Sequence, residues 1–281
     1  MKTLGYYNGT IAEIDQMMVP MSDRACYFGD GVYDATIADN HIIFALDEHI
    51  DRFFNSASMV GIQPDITKQG LAELLSSLVK KVDSPCQFVY WQITRGAAVR
   101  THVYPENAKP NLWVMLSPQK LPDLNKKIKL LCLDDTRFLH CNIKTLNLLP
   151  NVLASEKAKQ EGCQEAVLHR SDRVTECTHS NIHILKDGFF RTAPLDHLIL
   201  PGIARSHLII HCGYLGIEVD ETPFSVGAMM EADEVIVSSS STFCLSVSHI
   251  DGKPVGGKAP DLLRQLQDSV MEEFREATKS V

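Results

Sequence analysis

The sequence predicts an α+β protein of two domains. Strand-like alternation and helix-like apolar spacing interchange along the chain, no repeat or low-complexity tract interrupts them, and a stretch carrying two prolines divides an N-terminal from a C-terminal part. A length of 281 residues is ample for two modest cores.

The first domain is expected over residues 1–117. After a hairpin-like opening, Asp47 is placed to cap a helix whose Ile50, Phe53, Phe54 and Ala57 share one apolar face and which stops near Gly61. Leu71, Leu74, Leu75 and Leu78 mark a second helix. Gln87 to Arg95 and Asn111 to Leu116 are rich in β-branched and aromatic residues and predict strands on either side of a polar, proline-containing excursion. Two prolines between Ser117 and Asn125 discourage regular structure, so 118–125 is read as an interdomain linker.

The second domain, 126–281, opens with a strand from Ile128 to Leu133. Short strands are expected from Glu165 to His169 and from Asn181 to Leu185, and Asp187-Gly188 has the residues of a tight hairpin turn. Helices are expected from about Leu148 to Gln160, Ile203 to Cys212 and Pro260 to Ala277. Pro260 suits a first helical turn, where its missing N–H is no loss, and Leu262, Leu263, Leu266, Val270 and Phe274 form an apolar stripe behind it.

Composition excludes several classes of function. The formal net charge of −8 argues against a nucleic-acid binder, which needs a basic face. No apolar run reaches the roughly 18 residues of a transmembrane helix, and Met1 to Asn8 lacks the apolar region of a secretory signal, so a soluble, cytoplasmic chain is expected. The eight cysteines make no CxxC pair and the eleven histidines no HExxH, so neither a disulfide framework nor a metal centre is expected. A GxSxG nucleophile motif is also lacking, which argues against a serine hydrolase.

Lys144 is the only formally charged residue from Phe138 to Ser155, a window in which average usage would place about four. Apolar surroundings favour the neutral amine that attacks a carbonyl, although the same pattern suits a lysine whose stem lies along an amphipathic segment with its ammonium in water. Glu176, in Val174-Thr-Glu-Cys-Thr-His-Ser-Asn181, supplies an acid. A pyridoxal cofactor needs such a pair: a lysine for the Schiff base and a carboxylate that keeps the ring nitrogen protonated. Leu200-Pro-Gly-Ile-Ala-Arg205 precedes an apolar helix, so Gly202 can let the chain turn and leave the amides of Ile203 and Ala204 at a helix N-terminus, where phosphate is favoured. The serines between Val237 and Thr242 could add hydroxyl donors and Arg52 a charge; each feature alone is ordinary. Arg100 and His102, two apart in an extended segment, would point the same way and could converge on one carboxylate.

In their order and wording these pieces resemble the class IV, fold-type IV pyridoxal phosphate aminotransferases, and within them the bacterial D-amino-acid aminotransferases. The segments that carry the likeness are Phe28-Gly-Asp-Gly-Val-Tyr33, Glu48-His-Ile-Asp-Arg52, Thr94-Arg-Gly96, Arg100-Thr-His102, Cys141-Asn-Ile-Lys-Thr-Leu-Asn147, Glu176 with Asn181, Gly202-Ile203 and the turn from Ser238 to Ser241. The resemblance implies that Lys144 forms the Schiff base with pyridoxal 5'-phosphate and shuttles the α-proton, that Glu176 pairs with the pyridine nitrogen, and that Arg52, Ile203, Ala204 and Ser240 hold the phosphate. It further implies that Tyr33 lines the substrate pocket and that Arg100 and His102 bind the substrate α-carboxylate from the neighbouring subunit of a homodimer. The implied reaction is ping-pong transamination between D-amino acids and 2-oxo acids; branched-chain aminotransferases, (R)-amine transaminases and aminodeoxychorismate lyases share the architecture. Four positions depart from the family pattern: Cys177 and His179 where small residues are common, Ala204 where a hydroxyl often serves the phosphate, and Phe138 near the lysine. Retention of Lys144 argues against a non-catalytic binding module.

Overall fold

Two sheets order the chain, one in each of two compact units, and the computed structural model describes residues 1–280. The first unit comprises Met1–Leu121, Ile143–Asn147 and residues from Arg275 onward; the second comprises Pro122–Asn142 and Leu148–Phe274. The sequence assigns everything after 125 to one domain, whereas Ile143–Asn147 groups with the first unit. Backbone pairing is the reason. Thr145 bridges Val32, Tyr33 N–H donates to Lys144 C=O at 2.9 Å, and Leu146 N–H to Gly31 C=O at 3.1 Å. Such non-local pairing leaves no period in the sequence.

The first sheet contains β1 (Leu4–Tyr7), β2 (Thr10–Ala12), β3 (Gly31–Asp39), β4 (Ile42–Ile43), β5 (Gln87–Thr94) and β6 (Asn111–Pro118), in the antiparallel order β2-β1-β6-β5-β3-β4 among the described residues. β6 continues through Ser117 and Pro118, so regular structure runs to the first residue of the expected linker. A short helix α1 (Arg24–Phe28) precedes β3, and α2 (Leu46–Met59) and α3 (Lys68–Val79) lie between β4 and β5. Ile50, Phe53 and Ala57 of α2 join Leu71, Leu75 and Leu78 of α3 in a core with Val89, Trp91 and Leu116, as their 3.6-residue spacing requires. The expected cap of α2 is corrected: Ala45, in a left-handed conformation, occupies the N-cap without a side-chain bond, and Asp47 lies in the first turn, where the helix dipole favours a carboxylate.

The second sheet follows the order β12-β11-β10-β13-β14-β7-β8-β9, with β15 beside β14. Its strands are β7 (Lys127–Asp134), β8 (Glu165–Arg170), β9 (Arg173–Cys177), β10 (Asn181–Lys186), β11 (Phe189–Thr192), β12 (Glu218–Asp220), β13 (Glu234–Ser238), β14 (Leu245–Ile250) and β15 (Lys253–Pro254). The helices α4 (Leu149–Gln160), α5 (Ile203–Tyr214), α6 (Val226–Met230) and α7 (Pro260–Ala277) complete the chain. β10 and β11 form the hairpin predicted at Asp187-Gly188, both of which have positive φ. Along β10, Ile182 and Ile184 enter a core with Val235, Val237 and Val247, so Asn181 and His183 face the opposite side of the sheet. No helix is long and apolar enough to cross a membrane among the described residues.

Candidate active site

In the first unit Lys144 is framed by aromatic and charged groups from β3, α2 and β5. Lys144 is half-buried; its Nζ lies 4.5 Å from the centre of the Tyr33 ring, which stacks on Tyr90 at 5.4 Å. Tyr90 donates to Gln92 Oε1 at 2.7 Å, and burial pushes its phenol well above the ordinary value, so it stays protonated. The lysine's backbone is fixed on both sides, with Lys144 N–H donating to Ser56 Oγ at 3.2 Å and its C=O accepting from Tyr33.

Asp34 follows Tyr33 on β3 and is fully buried. Arg52 donates Nε to its Oδ2 at 2.9 Å and Nη2 to its Oδ1 at 2.7 Å, a bidentate pair, and His49 Nδ1 donates to Oδ1 at 2.7 Å. Burial alone would raise the Asp34 carboxyl, but Arg52 and His49 outweigh it and hold the group well below the usual carboxylate range. The His49 ring is pushed down, mainly by burial and further by the cations Arg52 and Lys144, and is neutral. Arg52 is therefore a preset cation, fixed from behind by a buried carboxylate.

Arg100 and His102 lie on the exposed loop between β5 and β6 rather than on a strand. They nonetheless converge. The Arg100 Cζ lies 5.0 Å from the Phe28 ring centre, and the His102 ring lies 5.2 Å from it.

In the second unit Glu176 is buried on β9 and accepts from side-chain and backbone donors. Arg137 Nη1 donates to Oε1, while Asn181 Nδ2 and the Leu200 N–H each donate to Oε2 at 3.0 Å. Arg137 is itself fixed by Asp135, whose carboxylate also accepts from Arg170 Nε at 3.1 Å and Thr175 Oγ1 at 3.1 Å. Asn181 ties this acid to the start of α5: its Nδ2 also donates to Leu200 C=O at 3.0 Å, and a Cβ on Gly202 would lie 2.0 Å from its Oδ1. Gly202 has φ −70°, open to any residue, so closeness to Asn181 requires the glycine and not the turn that the sequence suggests. Gly202 caps α5 without a side-chain bond, and Ile203 and Ala204 form its first turn. The turn from Ser239 to Thr242 closes with Thr242 and Phe243 N–H on Ser239 C=O, and Ser240 stands at its apex.

Three of the four departures have local accounts. His179 and Ser180 both serve Glu165, which accepts from the His179 N–H at 2.8 Å, the His179 ring and Ser180 Oγ at 2.9 Å; they brace the turn between β9 and β10. Cys177 is buried and its thiol is pushed well up, which makes it a packing residue. Phe138 is 41% exposed and meets His140 edge to face.

Sequence reasoning missed Asp34, His49, Asp135 and Arg137. Arg137 had a signal: it is the last charge before the uncharged window around Lys144. His49 stood unassigned within Glu48-His-Ile-Asp-Arg52.

The two-sheet fold carries a framed lysine in one unit and a clamped carboxylate in the other, and comparison with known proteins assigns the class. Residues 31–250 match the family amino-transferase class IV, and the chain belongs to it. Among curated proteins it is similar to the D-alanine aminotransferase of Listeria monocytogenes serotype 1/2a (strain 10403S), 37% identical over 276 residues that cover 96% of each chain. The D-alanine aminotransferase of Bacillus licheniformis is 35% identical over 274 residues, 95% of this chain and 97% of that one. Among solved structures, the branched-chain amino acid aminotransferase from Escherichia coli superimposes with a TM-score of 0.90 at 22% identity, covering 100% of this chain and 97% of that one. The branched-chain aminotransferase from the thermophilic archaeon Thermoproteus uzoniensis, solved with norvaline, gives 0.87 at 20% identity, covering 98% and 94%. The last two establish the fold.

Proposed function

We propose that this aminotransferase uses pyridoxal 5'-phosphate to move amino groups between D-amino acids and 2-oxo acids. The observation that carries the substrate class is the convergence of Arg100 and His102 on Phe28, which gives a carboxylate two adjacent donors. The likeness to D-alanine aminotransferases along nearly the whole chain supports the same reading.

The residues fit the cofactor. When bound, it supplies an aldehyde for the amino group and a protonated ring that draws electrons from the substrate's α-carbon. Lys144 would hold that aldehyde through its amine and would supply the base that takes and returns the proton of the substrate's α-carbon. Glu176, which accepts from Arg137, Asn181 Nδ2 and the Leu200 N–H, would hold a proton at the ring nitrogen. The first turn of α5 at Ile203 and Ala204, the Ser240 turn and the preset Arg52 would hold the phosphate. Tyr33, stacked between Tyr90 and the Lys144 amine, lines the substrate pocket.

A homodimer that completes each site with Arg100 and His102 of the other copy fits the surface. Val99 and Val103 flank the pair at 84% and 76% exposure, and Leu149, Val152 and Leu153 of α4 are also bare, as expected of apolar groups that a second copy covers. All eight cysteines are free thiols, which suits an enzyme of the reducing cytoplasm.

The test is a donor panel of D-amino acids, L-amino acids and simple (R)-amines with pyruvate or 2-oxoglutarate as acceptor. D-amino acids should give the highest kcat/KM; preference for L-branched-chain acids or for amines would overturn the reading.

A further inference from the structure

The loop that carries Arg100 and His102 has no regular structure, yet a single carboxylate anchors two arginines that reach into it at Thr101 and Tyr104. Asp30, in the Gly-Asp-Gly turn between α1 and β3, accepts from two arginines. Arg24 Nε donates to its Oδ2 at 2.7 Å, and Arg95 Nε donates to Oδ2 at 2.9 Å and Oδ1 at 3.1 Å. Arg24 and Arg95 are each more than nine-tenths buried, so each needs this counter-charge.

Each arginine then spends its remaining donors on the loop or its support. Arg24 Nη1 donates to the Thr101 C=O at 2.7 Å, between Arg100 and His102, while the Arg24 Cζ lies 5.0 Å from the Phe28 ring centre. Arg95 lays its guanidinium 3.5 Å from the centre of the Tyr104 ring and donates Nη2 to Val60 C=O at 2.7 Å and Nη1 to Gly61 C=O at 3.1 Å. Backbone contacts fix the loop's entry: Arg24 N–H donates to Gly96 C=O at 3.0 Å, and a Cβ on Gly96, whose φ is +105°, would lie 2.0 Å from the Lys109 C=O at the loop's far end. Phe28 is therefore a platform shared by the brace and the two donors it presents.

We propose that Asp30, through Arg24 and Arg95, is a positioning residue for substrate selection, presetting Arg100 and His102 so that a carboxylate meets two donors already in place. The inference rests on the reading of Arg100 and His102 as the carboxylate clamp. Presetting lowers the ordering cost of binding and leaves proton transfer at Lys144 untouched, so Asp30 acts on KM rather than kcat.

The test uses holoenzyme variants D30N, R24K, R100A and D30N/R100A, with D-alanine as donor and 2-oxoglutarate as acceptor. Loss of the clamp's preset geometry should raise the KM of D30N about tenfold or more with kcat changed less than about threefold, and R24K, which cannot reach Asp30 and Thr101 together, should show the same split. Because Asp30 acts through Arg100, the double variant should be no worse than R100A alone. Hydrogen exchange of the apoprotein supplies a readout independent of turnover: amides from Ala97 to Tyr104 should exchange faster in D30N and R24K, while those of β5 do not. Unchanged KM and exchange in R24K, additive losses in the double variant, or parallel loss of kcat and melting temperature would each overturn the proposal even if D30N does not fold. If R100A itself leaves KM unchanged, the clamp reading falls first, and faster exchange in D30N would then mark a brace without a substrate role.

Discussion

Arg137 donates to Glu176 inside the second unit, both side chains less than a tenth exposed, with Asp135 holding the far side of the guanidinium. The acid thus sits in a chain of alternating charge, Asp135–Arg137–Glu176, closed by Asn181. A buried pair of this kind adds little net stability, but removing one partner strands the other's charge.

Arg137→Met should accordingly destabilise the protein by about 3–5 kcal/mol, because Glu176 loses the arginine that pairs with it in a buried setting while Asp135 is left with Arg170 alone. Denaturant unfolding measures it; a loss under about 1 kcal/mol would show that the pair is solvated.

Glu176→Gln should retain the cofactor, since the amide keeps the shape and the bond from Leu200 N–H, while turnover falls at least about a hundredfold, the scale of one well-placed proton-holding group. Absorbance of the bound cofactor and steady-state rates separate the two effects. Unchanged turnover would remove Glu176 from the ring nitrogen.

Borohydride reduction of the holoenzyme should fix the cofactor on Lys144, as peptide mapping can read directly. Label on another lysine would sink the assignment.

Arg100→Ala should cost about 1.5–3 kcal/mol in kcat/KM toward D-amino acids, the value of a charged hydrogen-bond partner, and almost nothing toward (R)-amines without a carboxylate. Mixing Arg100→Ala with Lys144→Ala chains should restore activity if the clamp enters from the other subunit, because each heterodimer then has one intact site. No recovery from well-mixed chains would confine the clamp to its own subunit.

His183 makes stability depend on pH. Burial, with Arg205 nearby, pushes its ring down to about 3, and the neutral ring bonds Thr192 Oγ1 at 2.9 Å and Ser238 Oγ at 2.8 Å. The folded value lies below the unfolded one, so between about 6.5 and 3 the unfolded chain binds the extra proton and the stabilisation present above pH 6.5 is lost as pH falls. The loss should approach about 1.4 kcal/mol per pH unit from this group. His183→Gln should flatten the slope between about pH 6 and about pH 4.5 in unfolding titrations; an unchanged slope would assign the acid sensitivity elsewhere.

Local chemistry determined much of this molecule in the sequence. The spacing of Ile50, Phe53 and Ala57, the β-branched and aromatic run in Gln87 to Thr94, Pro260 at a helix start and Asp187-Gly188 at a hairpin each act over a few residues, and all four elements formed where their residues dictate. Lys144 and Glu176 were legible as a pair only through the wording around them, because a lone lysine in an apolar stretch has two readings. Tertiary structure alone decided what surrounds them. Pairing of Thr145 with Val32 drew residues 143–147 into the first unit, Asn181 demanded a glycine at 202 by its closeness, and Asp30 joined arginines 71 residues apart in the chain. These are long-range approaches of backbone and buried charge, which carry no periodicity and no composition bias, so only the folded chain reveals which groups meet.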